Sequence, residues 1–168
     1  MQKYGFWIIP ENTSYQELEK IIEEYGLKYN SPLFTPHMTI HGVISSTDEE
    51  VIKIVEAVSK KIKPFELEIG EVEFSSTYHQ CILARVKTSA NLFNVYMFLR
   101  KAFGVEEKHV FMPHMSLVYG DFNMEEREKI AKEIKIKNRS FEAKKITIVR
   151  ADSPDPENWK FVKQVTLG

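Results

Sequence analysis

The chain of 168 residues is 43% hydrophobic and 28% charged with a net charge of -1, the balance of a soluble globular protein with a well-buried core. That near-neutral charge excludes binding along an extended nucleic-acid backbone, which needs a surplus of Lys and Arg, and leaves a small anionic substrate or the end of an RNA. One cysteine, Cys81, excludes an internal disulfide framework or a cysteine zinc cluster and sets a cytoplasmic location as the expectation; no stretch reaches membrane-spanning length, and the apolar run in MQKYGFWIIP is too short for a signal segment.

In chain order, Tyr4 to Pro10, rich in aromatic and β-branched residues, predicts a strand. A helix follows, with Ser14 and Glu17 placed as a capping box, an apolar stripe of Leu18, Ile21, Ile22 and Tyr25, and Gly26 as its stop. The heptad Phe34-Thr35-Pro36-His37-Met38-Thr39-Ile40 comes next. Thr47 with Glu50 starts a second helix carrying Val51, Ile54, Val55, Val58 and Ile62, which leads to a strand at Phe65–Ile69. Gln80 to Lys87 is again a strand, and Leu92, Val95, Tyr96, Leu99 and Phe103 recur at helical spacing up to Gly104. A second heptad, Phe111-Met112-Pro113-His114-Met115-Ser116-Leu117, precedes a helix capped by Asn123 with Glu126 and running through Ile130 and Ile134. A strand over Phe141–Val149, the Pro154/Pro156 loop and a strand from Trp159 to Leu167 complete the pattern.

The two heptads lie 77 residues apart and match at every position but the second, allowing Thr/Ser and Ile/Leu exchange. The order β-α-β-α-β therefore occurs twice, an internal duplication. It predicts an α+β fold over residues 1–168: a single bilobal domain with a pseudo-two-fold axis, two antiparallel sheets facing a central cleft, and helices on the outer faces.

Strand alternation puts His37 with Thr39 on one face and Met38 with Ile40 on the other; His114 with Ser116 and Met115 with Leu117 divide in the same way. Pro36 and Pro113 suit a strand's first position, where no ladder donor is needed. Two imidazoles and two hydroxyls meeting across a cleft suit phosphodiester hydrolysis. One neutral imidazole takes a proton from water, the other as imidazolium protonates the departing alkoxide, and the hydroxyls hold non-bridging phosphate oxygens. Neither a metal nor another cofactor is needed for this chemistry.

These residues resemble the two-histidine phosphoesterase superfamily, marked by paired His-x-[Thr/Ser] motifs in a bilobal fold. The likeness is closest to its cyclic phosphodiesterase branch of plant and yeast type, at Phe6-Trp7-Ile8-Ile9-Pro10, Pro36-His37-Met38-Thr39, Gln80-Cys81 and Met112-Pro113-His114-Met115-Ser116-Leu117-Val118-Tyr119. The resemblance implies hydrolysis of ADP-ribose 1″,2″-cyclic phosphate and of nucleoside 2′,3′-cyclic phosphates, products of RNA processing. It makes His37 and His114 the acid/base pair, Thr39 and Ser116 the phosphate ligands, and Trp7 and Tyr119 residues that line the cleft. It leaves open which histidine is the acid. His41-Gly42-Val43 departs from the RNA-ligase-like branch, where an apolar-aromatic-Leu-Gly run continues the first motif, and so counts against a tRNA ligase. A monomer without membrane association is expected.

His41, two residues beyond Thr39, falls by alternation on the His37 face and invites a three-histidine metal site with His37 and His114. With no Asp or Glu in either motif, metal binding is set aside and His41 is read as a cleft-rim residue. His79, beside Tyr78, reads equally as a contact for a nucleobase or as a loop histidine, and His109 reads as a loop histidine. Lys60, Lys61, Lys63, Lys144 and Lys145 read as solvated faces or a modest funnel for an anion. An oligonucleotide or cyclic signalling-nucleotide phosphodiesterase and a non-catalytic RNA-end or nucleotide-binding module are the competing readings.

Overall fold

In the computed structural model, which describes residues 1–106 and 110–168, the doubled order of elements is β1 (Gln2–Ile8), α1 (Asn12–Tyr29), β2 (Met38–Ser46), α2 (Asp48–Ser59) and β3 (Phe65–Phe74), then β4 (Ile82–Val86), α3 (Ala90–Ala102), β5 (His114–Val118), α4 (Met124–Glu133) and β6 (Ser140–Ala143). Two more strands follow, β7 (Lys145–Arg150) and β8 (Lys160–Thr166). His109 lies outside the described residues.

The α+β class is as the sequence predicts. Its two four-stranded halves are continuous, in the order β6-β3-β4-β5-β2-β1-β7-β8, and every neighbouring pair is antiparallel. The halves join through β2 and β5 at one registered pair, Met38 with Met115, the residues that follow the two motif histidines. The sheet halves are not the sequence halves. β3 leaves the first unit to pair with β4, and the predicted strand over Phe141–Val149 divides at Lys144, so that β6 joins β3 while β7 crosses to β1. Helices exchange likewise: α1 packs on β5 and α3 on β2. One apolar cluster consequently runs from Tyr4 to Leu167 through both halves.

Within it Met38, Ile40, Met115 and Leu117 are all at most 1% exposed. Burial of each such side chain contributes about 1.5–3 kcal/mol, which fixes the register of β2 and β5 and hence which side chains face the cleft.

Three helix starts follow the capping rule: Thr47 Oγ1 accepts from Glu50 N, Ser89 Oγ from Leu92 N, and Asn123 Oδ1 from Glu126 N. α1 does not. It begins at Asn12 with Glu11 as N-cap, and the Ser14/Glu17 pair expected to cap it binds a distant turn instead. Ser14 Oγ donates to Ser140 O, while the Glu17 carboxylate accepts from Lys137 N and Asn138 N. Nor does Gly26 stop the helix. α1 continues to Tyr29 and closes on Asn30 in the left-handed region, φ 51°. Gly26 serves the chain's return, because a Cβ there would meet Leu33 Cδ2 at 2.5 Å. No helix among the described residues is long and apolar enough to cross a membrane.

Candidate active site

The helices cover one face of the sheet, and the central strands present their other face to a cavity of about 490 Å³. His37, Thr39, His114 and Ser116 all line it, together with Trp7, His79 and Tyr119.

The two histidines are held alike. His37 Nδ1 donates to Thr35 O at 2.7 Å, and His114 Nδ1 donates to Met112 O at 2.8 Å. Each extended X-Pro dipeptide turns the carbonyl two residues upstream toward its own imidazole. With Nδ1 carrying that hydrogen, Nε2 is the lone-pair nitrogen of a neutral ring.

Their surroundings differ. His37 is buried, and its ring stacks on Trp7 at 3.7 Å between centroids and 16° between planes, with Trp159 edge-on at 5.7 Å. Burial therefore pushes the His37 pKa down to about 4, the Thr35 carbonyl opposes this, and the nearby His114 adds to it. His114 is only half-buried. Burial lowers its pKa too, the Met112 carbonyl raises it, and the charge of Arg85, its cross-strand partner, lowers it.

The hydroxyls differ as well. Ser116 Oγ donates to His79 O at 2.7 Å, whereas the Thr39 hydroxyl has no hydrogen bond among the described residues. Tyr119 lies just past β5, stacked on Phe34 at 4.0 Å and edge-on to His79 at 5.0 Å. Burial drives its phenol well above the usual range, so it stays protonated and can donate.

His79 is both wall and bridge, its Nε2 donating to Pro154 O at 3.0 Å across the cleft mouth. Trp7, 4% exposed, is packed in the core and is still part of the cavity wall.

His41 needs correction: it does not line the cleft. Trp7 pairs with Thr39 but Phe6 pairs with His41, so Ile40 is skipped. This bulge resets the alternation and turns His41 into the core. It is 3% exposed there, stacked on Tyr96 at 5.7 Å and edge-on to Phe6 at 6.5 Å. The three-histidine set with His37 and His114 is therefore not assembled.

Sequence reasoning missed the far wall, Ala151 to Pro154 with Trp159, and the cavity's lysine, Lys3. Asp152 accepts from Lys3 N, and the Trp159 indole donates to Ser153 O at 2.9 Å. These residues carry no repeat or motif, and they reach the site only because β7 and β8 cross to β1. Lys144 and Lys145 are engaged with Glu11 and Glu142, away from the cleft.

Two histidines thus lie beside two hydroxyls on one sheet face, and the fold that presents them has solved neighbours. The chain superposes on Escherichia coli LigT complexed with 3′-AMP with a TM-score of 0.67 at 14% identity, covering 99% of this chain and 98% of that one. It superposes on TT0787 of Thermus thermophilus with a TM-score of 0.68 at 11% identity, covering 98% and 97%.

The sequence is also 22% identical over 171 residues to the cyclic phosphodiesterase of Arabidopsis thaliana, covering 98% of this chain and 94% of the relative. Residues 1–167 match the family described as cyclic phosphodiesterase-like protein, and the chain belongs to that family. It is an enzyme of the phosphodiesterase class.

Proposed function

We propose that the chain hydrolyses small cyclic phosphodiesters, nucleoside 2′,3′-cyclic phosphates and ADP-ribose 1″,2″-cyclic phosphate, with His37 as general base and His114 as general acid and without a metal. Residues 1–168 act as one bilobal unit, the motifs at 37–40 and 114–117 each supplying half the site. The observation that carries this reading is the matched pair of Nδ1 hydrogen bonds, which leaves both Nε2 atoms as lone-pair nitrogens beside one cavity.

The environments divide the roles. His37, held down to about 4, is neutral at pH 7 and able to accept a proton. Half-buried His114 is the group that an anionic substrate can bring to its protonated form. Water then attacks phosphorus, and its proton passes to His37 Nε2. As the P–O bond to the ring alcohol breaks, His114 Nε2–H protonates the departing oxygen, leaving a phosphomonoester. The indole face of Trp7 and the Thr35 carbonyl both favour the positive charge that develops on His37. Thr39 and Ser116 donate to the non-bridging oxygens; Ser116 must first leave the His79 carbonyl, at a cost of about 1 kcal/mol.

Of the cleft's lining side chains, Lys3 is the one lysine or arginine among the described residues, which supports a substrate with a single phosphate at the reacting centre. The 3′-AMP held by E. coli LigT supports a mononucleotide as its size. The reading places the protein in the cytoplasm, as a monomer, acting on by-products or ends of processed RNA.

The deciding experiment is a panel assay in EDTA of nucleoside 2′,3′-cyclic phosphates, ADP-ribose cyclic phosphate, and linear and cyclic oligonucleotides. Turnover of the small cyclic phosphates is expected. Turnover of oligonucleotides alone would overturn the substrate assignment, and no turnover at all would leave a binding module.

A further inference from the structure

Arg127, on α4, is 3% exposed. Its guanidinium donates only to backbone carbonyls: Nε to Phe122 O at 2.7 Å, Nη1 to Ser75 O at 2.7 Å and Thr77 O at 2.9 Å, and Nη2 to Gly120 O at 3.2 Å. None of the ion pairs among the described residues includes it. Burying a guanidinium without a carboxylate costs several kcal/mol unless its donors are satisfied. Helix packing alone is served at lower cost by an apolar side chain. A planar fork with five donors does what no apolar side chain can, which is to hold two chain segments at once.

Both segments belong to the cleft. The 75–80 loop carries His79 and Gln80 of its wall, and the 120–122 turn follows Tyr119. They are joined again by Gly120 N donating to Tyr78 O at 3.2 Å, and the loop is closed on itself by Ser75 Oγ donating to Gln80 O at 2.7 Å. The carbonyl that this framework presents to the site is His79 O, the acceptor of the Ser116 hydroxyl. Arg127 is thus linked to the second motif through Thr77, Tyr78 and His79.

We propose that Arg127 is a positioning residue for the phosphate site of the second motif, acting by clamping the 75–80 loop to the 120–122 turn so that the His79 carbonyl sets the place of Ser116. This rests on the cleft being the phosphate site proposed above. Among the described residues the first motif has no such device, since Thr39 is bonded to no loop there.

The test is a double-mutant cycle with a nucleoside 2′,3′-cyclic phosphate as substrate. Arg127→Lys, which keeps the charge and loses the fork, is expected to raise KM ~10-fold with kcat within ~3-fold. In a Ser116→Ala background the same change should raise KM less than ~3-fold, whereas in a Thr39→Ala background the full ~10-fold should persist. An unchanged KM, a fall in kcat at constant KM, or equal effects in both backgrounds would overturn the proposal. Should Arg127→Lys fail to fold, Ser75→Ala is expected to raise KM ~3-fold by loosening the same loop, and no change in KM would overturn it instead. The cycle repeated as Kd for adenosine 2′-phosphate reads positioning without turnover. A protein that binds but does not turn over substrate would thus defeat the reaction assignment while still testing Arg127.

Discussion

The first and second motifs are nearly the same sequence in different surroundings. His37 is buried under Trp7 and Trp159 and beside a hydroxyl with no hydrogen-bond partner among the described residues; His114 is half-exposed beside a hydroxyl already held by a loop. A symmetric pair would share one proton with either ring equally, so neither member would be fixed as acid or as base. The difference between the two copies comes from what packs on them: two indoles on one side, and on the other Arg85 together with the loop clamped by Arg127. A duplicated motif thus becomes a directional one through its neighbours.

The severest way to break the comparison is to remove either imidazole. His37→Ala and His114→Ala should each lower kcat by at least ~10²-fold, the scale of a lost acid or base, and full activity in either variant would sink the two-histidine reading. The pH profile then tells the copies apart. A base must be neutral, so activity falls as pH drops through the pKa of His37. An acid must be protonated, so activity also falls as pH rises through that of His114. With both lowered from the ordinary 6.5 and His37 pushed to about 4, kcat/KM should be bell-shaped with its maximum below pH 6.5. In His37→Gln the acidic limb of the residual activity should vanish; a plain sigmoid in the unmutated protein would contradict the assignment.

Stability carries the same asymmetry. Between pH 6.5 and about 4 the unfolded chain binds a proton at His37 that the folded protein refuses, so stability is full above that window and falls as pH descends through it. The loss is about 3 kcal/mol by the bottom of the window. Denaturant titrations at pH 7 and pH 4 should show this component in the unmutated protein and not in His37→Gln. If both lose stability equally, His37 is not buried as described.

The hydroxyls should differ next. Thr39→Ala is expected to raise KM ~30-fold and Ser116→Ala ~10-fold, since Ser116 gives up a hydrogen bond of about 1 kcal/mol to reach substrate; equal losses in steady-state kinetics of the two variants would show the His79 link to be unimportant. The smallest effect is expected at His41. Its buried Nε2 lacks a partner among the described residues, so His41→Phe should leave kcat/KM within ~3-fold, and a large loss would return His41 to the cleft.

Much of this site was legible before any fold was known. Spacing and alternation alone placed His37 with Thr39 and His114 with Ser116 on polar strand faces, backed by Met38, Ile40, Met115 and Leu117. Alternation failed at His41, two residues later, because a bulge opposite Phe6 and Trp7 is set by cross-strand packing that a single strand's sequence does not carry. The Ser14/Glu17 pattern misled for a related reason. Its side chains find partners at residues 137–140 that are far away in sequence, and a capping pattern has no means of excluding them.

What the sequence determined by itself is therefore the local chemistry: period-2 alternation, the prolines before each histidine, the cap residues of two helices, and the near-neutral charge that suits a small substrate. Only the tertiary structure decided which histidine is buried, which strands change halves, and that Trp159 and Asp152 line the site. Alternation and capping act over one to four residues and are written in neighbouring letters. Desolvation and clamping act between segments that the fold brings together from as far as 149 residues apart, as Lys3 and Asp152 are.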